Sequence, residues 1–367
     1  MKRFLLILLC ACLLLTGCNG DSPEATDSTP TADTTAATEP TTEPTTEPTE
    51  EATTAPALQY SHPLTGEPIA QPLTTRPAAV IINNISAAQP LHGIGGADFL
   101  FEHVAEGGGG ITRMLGIFTD LESAGKIGSI RSARTYMIEL AKSFNAPLAH
   151  CGGSEFAYSE FSSSKWNHLD EIYNGSYFFR DKDRKAAGYS QEHTLFAQGD
   201  KLMEGFLAKG FDMEIEDGVD FGLLFSEKLQ LNGEAADEIS IRFYSKSGKR
   251  TILTYNAEED VYYGVQKWSS KTASIADANS KTDVPFRNVL ILNAKTTTDG
   301  YRMFSELTGE GTGHFACGGE YIPIKWSRKD TTSPFVYTTE SGAPITLSIG
   351  KTYVAIRPNQ SPAVEFK

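Results

Sequence analysis

Between residues 21 and 57 the chain holds nothing from which a folded core can be built. The stretch is Thr, Pro, Glu, Ala, Ser and Asp, and Thr41-Thr42-Glu43-Pro44 is repeated at once as Thr45-Thr46-Glu47-Pro48. Such a composition cannot bury enough apolar surface to offset the entropy of ordering, so it is expected to stay unfolded. Proline and like-charge repulsion both extend it, to a reach on the order of 100 Å at about 3.1 Å per residue. Whatever folds must therefore lie from about residue 58 onward.

What precedes the stretch explains why it is there. Lys2 and Arg3 lead into an almost wholly apolar run from Phe4 to Leu15. That run is shorter than the roughly 20 apolar residues of a spanning helix and has the flanks of a secretory signal. Leu15-Thr16-Gly17-Cys18 follows, the pattern at which a small residue is cut and a cysteine thiol is left to carry diacylglycerol. Residues 1–17 are expected to be a signal peptide. Residues 18–57 are expected to be a lipidated Cys18 with a disordered stalk that holds the body outside the cytoplasmic membrane. Two or more acyl chains anchor stably, at ~0.8 kcal/mol per buried methylene.

The leader contributes two positive charges and the stretch nine negative ones, leaving the body at −7 of the total −14. A mildly acidic body argues against nucleic acid, which calls for a basic face, and against direct adsorption to anionic lipid. Beyond Cys18 only Cys151 and Cys317 remain, each followed by Gly-Gly. Two cysteines make neither a disulfide scaffold nor a zinc ribbon. Export permits a bridge between them, but their separation is not legible in sequence. Seven histidines show no His-x-x-x-His or His-Glu-x-x-His pairing, so neither a metal nor a cofactor is expected.

The expected fold class is mixed α/β (α+β). Layered sheets with helices occupy the N-terminal part, residues 58–215, and an antiparallel β-rich part occupies residues 238–360. Residues 78–83 and 98–105 read as buried strands, and 111–119 as the strand returning across a glycine turn. Residues 133–144 follow helical spacing, with Tyr136, Leu140 and Phe144 on one face. A short strand spans 146–150, and a helix over 195–209 is stopped by Gly210. Beyond 238 the alternating segments 239–244, 250–256, 261–268, 289–293, 314–317, 321–326, 345–347 and 353–356 read as strands.

Chemistry-bearing residues are densest from Asp98 to Ser154. Glu102 and Glu106 precede Gly107-Gly108-Gly109-Gly110 and Ile111-Thr112-Arg113. The glycine run lacks the Lys-Ser/Thr of a phosphate loop and the spacing of a dinucleotide site, so it reads as a turn. In Ser129-Ile130-Arg131-Ser132-Ala133-Arg134 a strand gives way to a helix. Ser132 is expected to cap that helix, and Arg131 and Arg134 suit a phosphate or carboxylate. Pairing of these arginines with Glu102, Glu106 or Glu139 to hold the domain together is an equal reading. His150 ends a strand beside Gly152-Gly153-Ser154, where α/β folds commonly place ligands. Phe179-Arg180-Asp181 and Glu192-His193-Thr194 form a second cluster. The candidate set is therefore Glu102, Glu106, Arg113, Arg131, Ser132, Arg134, His150, Ser154, Arg180, Asp181 and His193.

In order along the chain, these residues match a family pattern. The matching stretches are His62-Pro63-Leu64-Thr65-Gly66, Arg76-Pro77 to Asn83-Asn84, Ala97-Asp98 to Glu102, Glu106-Gly107 with Gly110 to Arg113, and Ile127-Gly128 to Arg134. They continue through His150, Gly152-Gly153-Ser154, Phe179-Arg180-Asp181, His193-Thr194-Leu195, Gly311-Thr312-Gly313, Ile324 to Ser327 and Gly350-Lys351-Thr352. With them the body, from 62 to 358, resembles the YerB-like bacterial lipoproteins. The departures are His62 where that family prefers Asn, the longer glycine run, and Cys151 where a small residue is usual. The resemblance implies a mixed α/β fold with a β-rich second part, and it implies no reaction.

Two functions fit these residues. One is a non-catalytic envelope lipoprotein that binds an anionic glycan, a peptide or a partner protein near the wall. The other is an envelope enzyme acting on a phosphorylated or glycan substrate. In it Arg113, Arg131 and Arg134 hold the anion while Glu102, Glu106 or His150 supply acid–base chemistry. A short, distant likeness of Asp98 to Leu100, Ser129 to Thr135 and the Ala-rich stretch before Gly152-Gly153 to the LytR-CpsA-Psr wall-glycopolymer phosphotransferases belongs to the second.

Overall fold

Apolar runs without alternation mark strands covered on both faces, and the centre of the fold is made of them. All seven residues of the strand Ala78–Asn84 are buried, as are nearly all of Phe99–Glu106, Ile111–Phe118 and Thr352–Pro358. Successive side chains point to opposite faces. One face of the sheet thus carries Val80, Ile82, Leu100, Val104, Met114 and Tyr353, and the other Ala79, Ile81, Phe101, Leu115, Ile117 and Val354.

The computed structural model describes residues 59–106, 111–216, 218–227, 229–244 and 248–367. The expected leader, Cys18, the 18–57 stretch and the Gly107–Gly110 turn lie outside the described residues. The described residues group into one compact unit. Among the described residues its main sheet has eleven strands. On one side of its middle, Phe99–Glu106, Ile111–Phe118 and Ala78–Asn84 are antiparallel neighbours, and Leu148–His150 and His168–Asp170 follow in parallel. On the other side Thr352–Pro358 pairs in parallel with both Phe99–Glu106 and Asn288–Ala294, and the antiparallel strands Gly309–Cys317 and Glu320–Arg328 continue outward. The last long strand of the chain therefore sits between strands of the N-terminal and C-terminal parts.

Helices α1 (Thr135–Ser143) and α2 (Glu155–Ser164) cover one face, with Tyr136, Met137, Leu140 and Phe161 in its core. A second sheet covers the opposite face, built on Glu238–Arg242, Arg250–Asn256 and Val261–Lys267. It contributes Ile239, Ile241, Leu253 and Tyr262 to the shared core, and helix α4 (Gly199–Ala208) adds Leu202 and Phe206. Each such side chain, fully buried, stabilises by roughly 1.5–3 kcal/mol before entropy is counted.

Two local expectations change. The segment 195–209 is not one helix: Leu195–Gln198 is a strand between Lys126–Gly128 and Phe179–Arg180, and α4 begins only at Gly199. Leu195, Phe196 and Ala197 are all buried, which a strand with both faces covered allows and an amphipathic helix start does not. Helix α1 begins at Thr135, with Arg134 at its N-cap position and no side-chain cap. Ser132 therefore does not cap it. Cys151 and Cys317 are free thiols. Among the described residues no helix is long and apolar enough to cross a membrane.

Candidate functional site

The three arginines meet at one end of the central strands, on the helix-covered face. Asn83, Arg113 and His103 sit side by side across neighbouring strands in that order. A bulge between Val104 and Glu106 breaks the alternation, which carries the Glu106 carboxylate onto the Arg113 side of the sheet. There Glu106 Oε1 accepts from Arg113 Nη2 at 2.9 Å and from Arg134 Nη2 at 3.1 Å. Arg113 Nη1 also donates to the Ser132 carbonyl at 2.9 Å, and Arg134 Nη1 to the Ala133 carbonyl at 2.9 Å. Ser132 thus enters the site through its backbone.

Arg131 stands at the open side, its Nη1 3.1 Å from Glu192 Oε2. Beside it His193 Nδ1 is 3.0 Å from Asn83 Nδ2, whose N–H donates, so the imidazole accepts there and is neutral. Arg113 is 2% and Arg134 7% exposed. Burial, with the neighbouring charges of Arg134 and Arg131, lowers the Arg113 guanidinium to about 10. The buried Nε groups of Arg113, Arg131 and Arg134 have no acceptor. Three cations thus share two carboxylates, one of them exposed, and removing a partner from so buried a set costs about 3–5 kcal/mol.

Other expected members lie elsewhere. Glu102 points to the opposite face, fully buried, where it accepts from Asn84 Nδ2 at 3.0 Å, Thr112 Oγ1 at 2.7 Å and Thr251 Oγ1 at 2.8 Å, and pairs with Lys249. It joins the two sheets and does not reach the arginines. His150 is fully buried under α2. Its Nδ1 donates to the Gly152 carbonyl at 2.8 Å, so its Nε2 accepts from His168 Nδ1 at 2.9 Å. Burial lowers the pKa of His150, and burial beside His150 lowers His168 to about 4. Ser154 caps α2 by accepting from the Ala157 N–H at 3.1 Å. Arg180 donates to the Gln191 carbonyl at 2.9 Å and lies 3.5 Å from Glu171. Asp181 caps the short helix α3 (Lys182–Ala186) through the Arg184 N–H at 2.9 Å. Burial opposes its ionisation, yet Lys126 and that N–H hold its carboxyl below the ordinary range.

The residues that sequence reasoning missed are His103 and Asn83. His103 stacks on Tyr136 at 4.0 Å, and its Nδ1 donates to the Val104 carbonyl at 2.6 Å. The signal for Asn83 was a polar residue near the end of a buried apolar strand, whereas His103 lies inside its strand and carried no such signal. The arrangement suits holding an oxyanion. Cys151, its thiol raised to about 12 by burial and Glu171, is no nucleophile at neutral pH. Among the described residues no three His, Cys, Asp or Glu side chains stand together as a metal site.

Comparison with known proteins places the chain in a family. Residues 64–212 match the protein of unknown function (DUF3048) N-terminal domain, and residues 239–354 match the DUF3048 C-terminal domain. The chain is 27% identical over 309 residues to a Bacillus subtilis (strain 168) protein named "Putative lipoprotein YerB", covering 82% of this chain and 87% of that one. The crystal structure of the YerB protein from Bacillus subtilis superposes with a TM-score of 0.69 at 22% identity, covering 84% of this chain and all of that one. The same two-part, sheet-dominated fold is thus shared, and this chain belongs to the YerB-like DUF3048 family.

Proposed function

We propose that the chain is a lipoprotein anchored through diacylglyceryl Cys18 on the extracytoplasmic face of the cell membrane. Its folded body binds an anionic group of an envelope ligand through Arg113, Arg131 and Arg134. The observation that carries the binding role is the charge count at the strand ends: three converging guanidiniums, two of them buried, against Glu106 and the exposed Glu192. A wall glycan, a peptide or an envelope protein that presents a carboxylate or phosphate completes the charge pairing. The anchor rests on Leu15-Thr16-Gly17-Cys18, on the acidic Thr/Glu/Pro stretch behind it, and on the lipoprotein designation of the Bacillus relative.

Arg131 is the position to test because its side chain is partly exposed and its loss leaves the Glu106 pairs intact. The wild-type chain and an Arg131→Ala variant are each used to capture envelope extract, and what stays bound is identified by mass spectrometry. The expected result is a specific anionic ligand on the wild type, with retention at least ten-fold lower on the variant. Equal retention, or no specific ligand on either, overturns the proposal.

A further inference from the structure

A second polar cleft lies far from the arginine cluster in sequence, where the C-terminal tail crosses from one sheet to the other. After Thr352–Pro358 leaves the main sheet, the chain runs to Glu365–Phe366, which pairs with Glu238–Arg242 of the second sheet. Beneath this strap lies an open cleft of about 780 Å³, within the range of small-molecule sites. Arg357, from the last buried strand, lines the cleft together with His314, Tyr321 and Phe366.

The charge on Arg357 has no counter-ion. The residue is 4% exposed, and among the described residues no carboxylate stands within ion-pair distance of it. One nitrogen, Nη2, donates to the Ser361 carbonyl at 3.2 Å and to that of Pro362, while Nε and Nη1 have no acceptor. Burial is what lowers its guanidinium, with no acidic neighbour to restore it. A buried cation without a partner is costly, and this one sits beside open volume. His314, whose Nδ1 is also buried without a partner, is held neutral by burial and by the Arg357 charge.

The rest of the lining narrows the ligand. Tyr321 and Phe366 stack in parallel at 3.6 Å and 4°, with the His314 ring 5.1 Å from Phe366, and together they form an aromatic wall. Asn293, Asn359 and Glu310 offer amide and carboxylate groups in the same space, and the lining Lys295 and Glu306 pair with each other at 2.8 Å. A bare inorganic anion leaves the aromatic wall and most of the volume unused. A neutral sugar leaves Arg357 unpaired. A sugar ring satisfies the wall and the amides, and a carboxylate on that ring satisfies the guanidinium.

We propose that the cleft beneath the 359–366 strap is a binding site for an acidic saccharide, seated against Tyr321 and Phe366 with its carboxylate toward Arg357. The site is separate from the Arg113 cluster and stands or falls independently of it.

The test uses N-acetylmuramic acid and N-acetylglucosamine, two sugars that differ by one carboxylate-bearing ether, titrated into the full chain with saturation-transfer NMR as the readout. The acid is expected to bind at least ten-fold tighter than the neutral sugar. Arg357→Gln should abolish that preference, Phe366→Ala should weaken the acid at least five-fold, and Arg131→Ala should change neither. If circular dichroism shows Arg357→Gln unfolded, the Phe366→Ala result decides. Absence of binding, equal binding of the two sugars, or unchanged binding in a folded variant overturns the proposal.

Discussion

His103 is a neutral imidazole enclosed between Tyr136 and the central strands, with an Nε2 that meets no partner. Burial lowers its pKa to about 4 from the 6.5 of an exposed imidazole. The unfolded chain therefore takes up this proton before the folded one does. Stability from this residue is fully present above pH 6.5, falls as pH drops through the window to 4, and is lost below it. Two and a half pH units amount to roughly 3 kcal/mol. Urea unfolding of the wild type at pH 7 and pH 4 should differ by that much more than unfolding of a His103→Gln variant. Equal pH slopes in the two proteins would remove His103 from the account. The same residue shows a limit of sequence reading. A histidine between Phe101 and Val104 looks like core filler, and only the register beside Arg113 places it against the charged cluster.

At the scale of elements, Gly199 decides where a helix begins. A Cβ at this position would lie 1.8 Å from the Leu121 carbonyl oxygen, so the backbone of α4 passes that loop at a distance only glycine permits. Its own N–H donates to the Gly125 carbonyl at 2.8 Å, fixing the junction between strand and helix. Gly199→Ala gains helix propensity of up to about 1 kcal/mol, but the forced shift costs more. Net destabilisation of about 1–3 kcal/mol is expected, measured by chemical denaturation. An unchanged midpoint would mean the loop yields freely. Long apolar runs were legible as strands, and Tyr136, Leu140 and Phe144 gave α1. The strand Leu195–Gln198 was not legible, because its partners Lys126–Gly128 and Phe179–Arg180 are distant in sequence. Helix α2 was hidden for another reason: it buries only Ala157 and Phe161, too few to reveal a period.

For the whole molecule the telling element is Thr352–Pro358, which pairs with Phe99–Glu106 on one side and Asn288–Ala294 on the other. A fragment covering 58–215 would expose the long apolar edge of Phe99–Glu106, the kind of edge that invites pairing between chains. Expressed alone, it should aggregate or elute as a large oligomer in size-exclusion chromatography, and co-expression with residues 216–367 should restore a soluble complex. A monomeric, folded fragment would sink this prediction. Residue patterning separated a β-rich C-terminal part from an N-terminal part of layered sheets with helices, and the helices do lie in the N-terminal part. What composition cannot carry is strand order, since the partner of Phe101 is Val354, about 250 residues later.

That order has a consequence in time. A ribosome delivers a chain N-terminus first, so the strand that closes the middle of the main sheet emerges after both of the strands it joins. Until it arrives, the two flanking strands have no common neighbour and the layers on either face have no finished surface to pack on. The wiring itself therefore delays closure of the core until both of the strands it joins have been made.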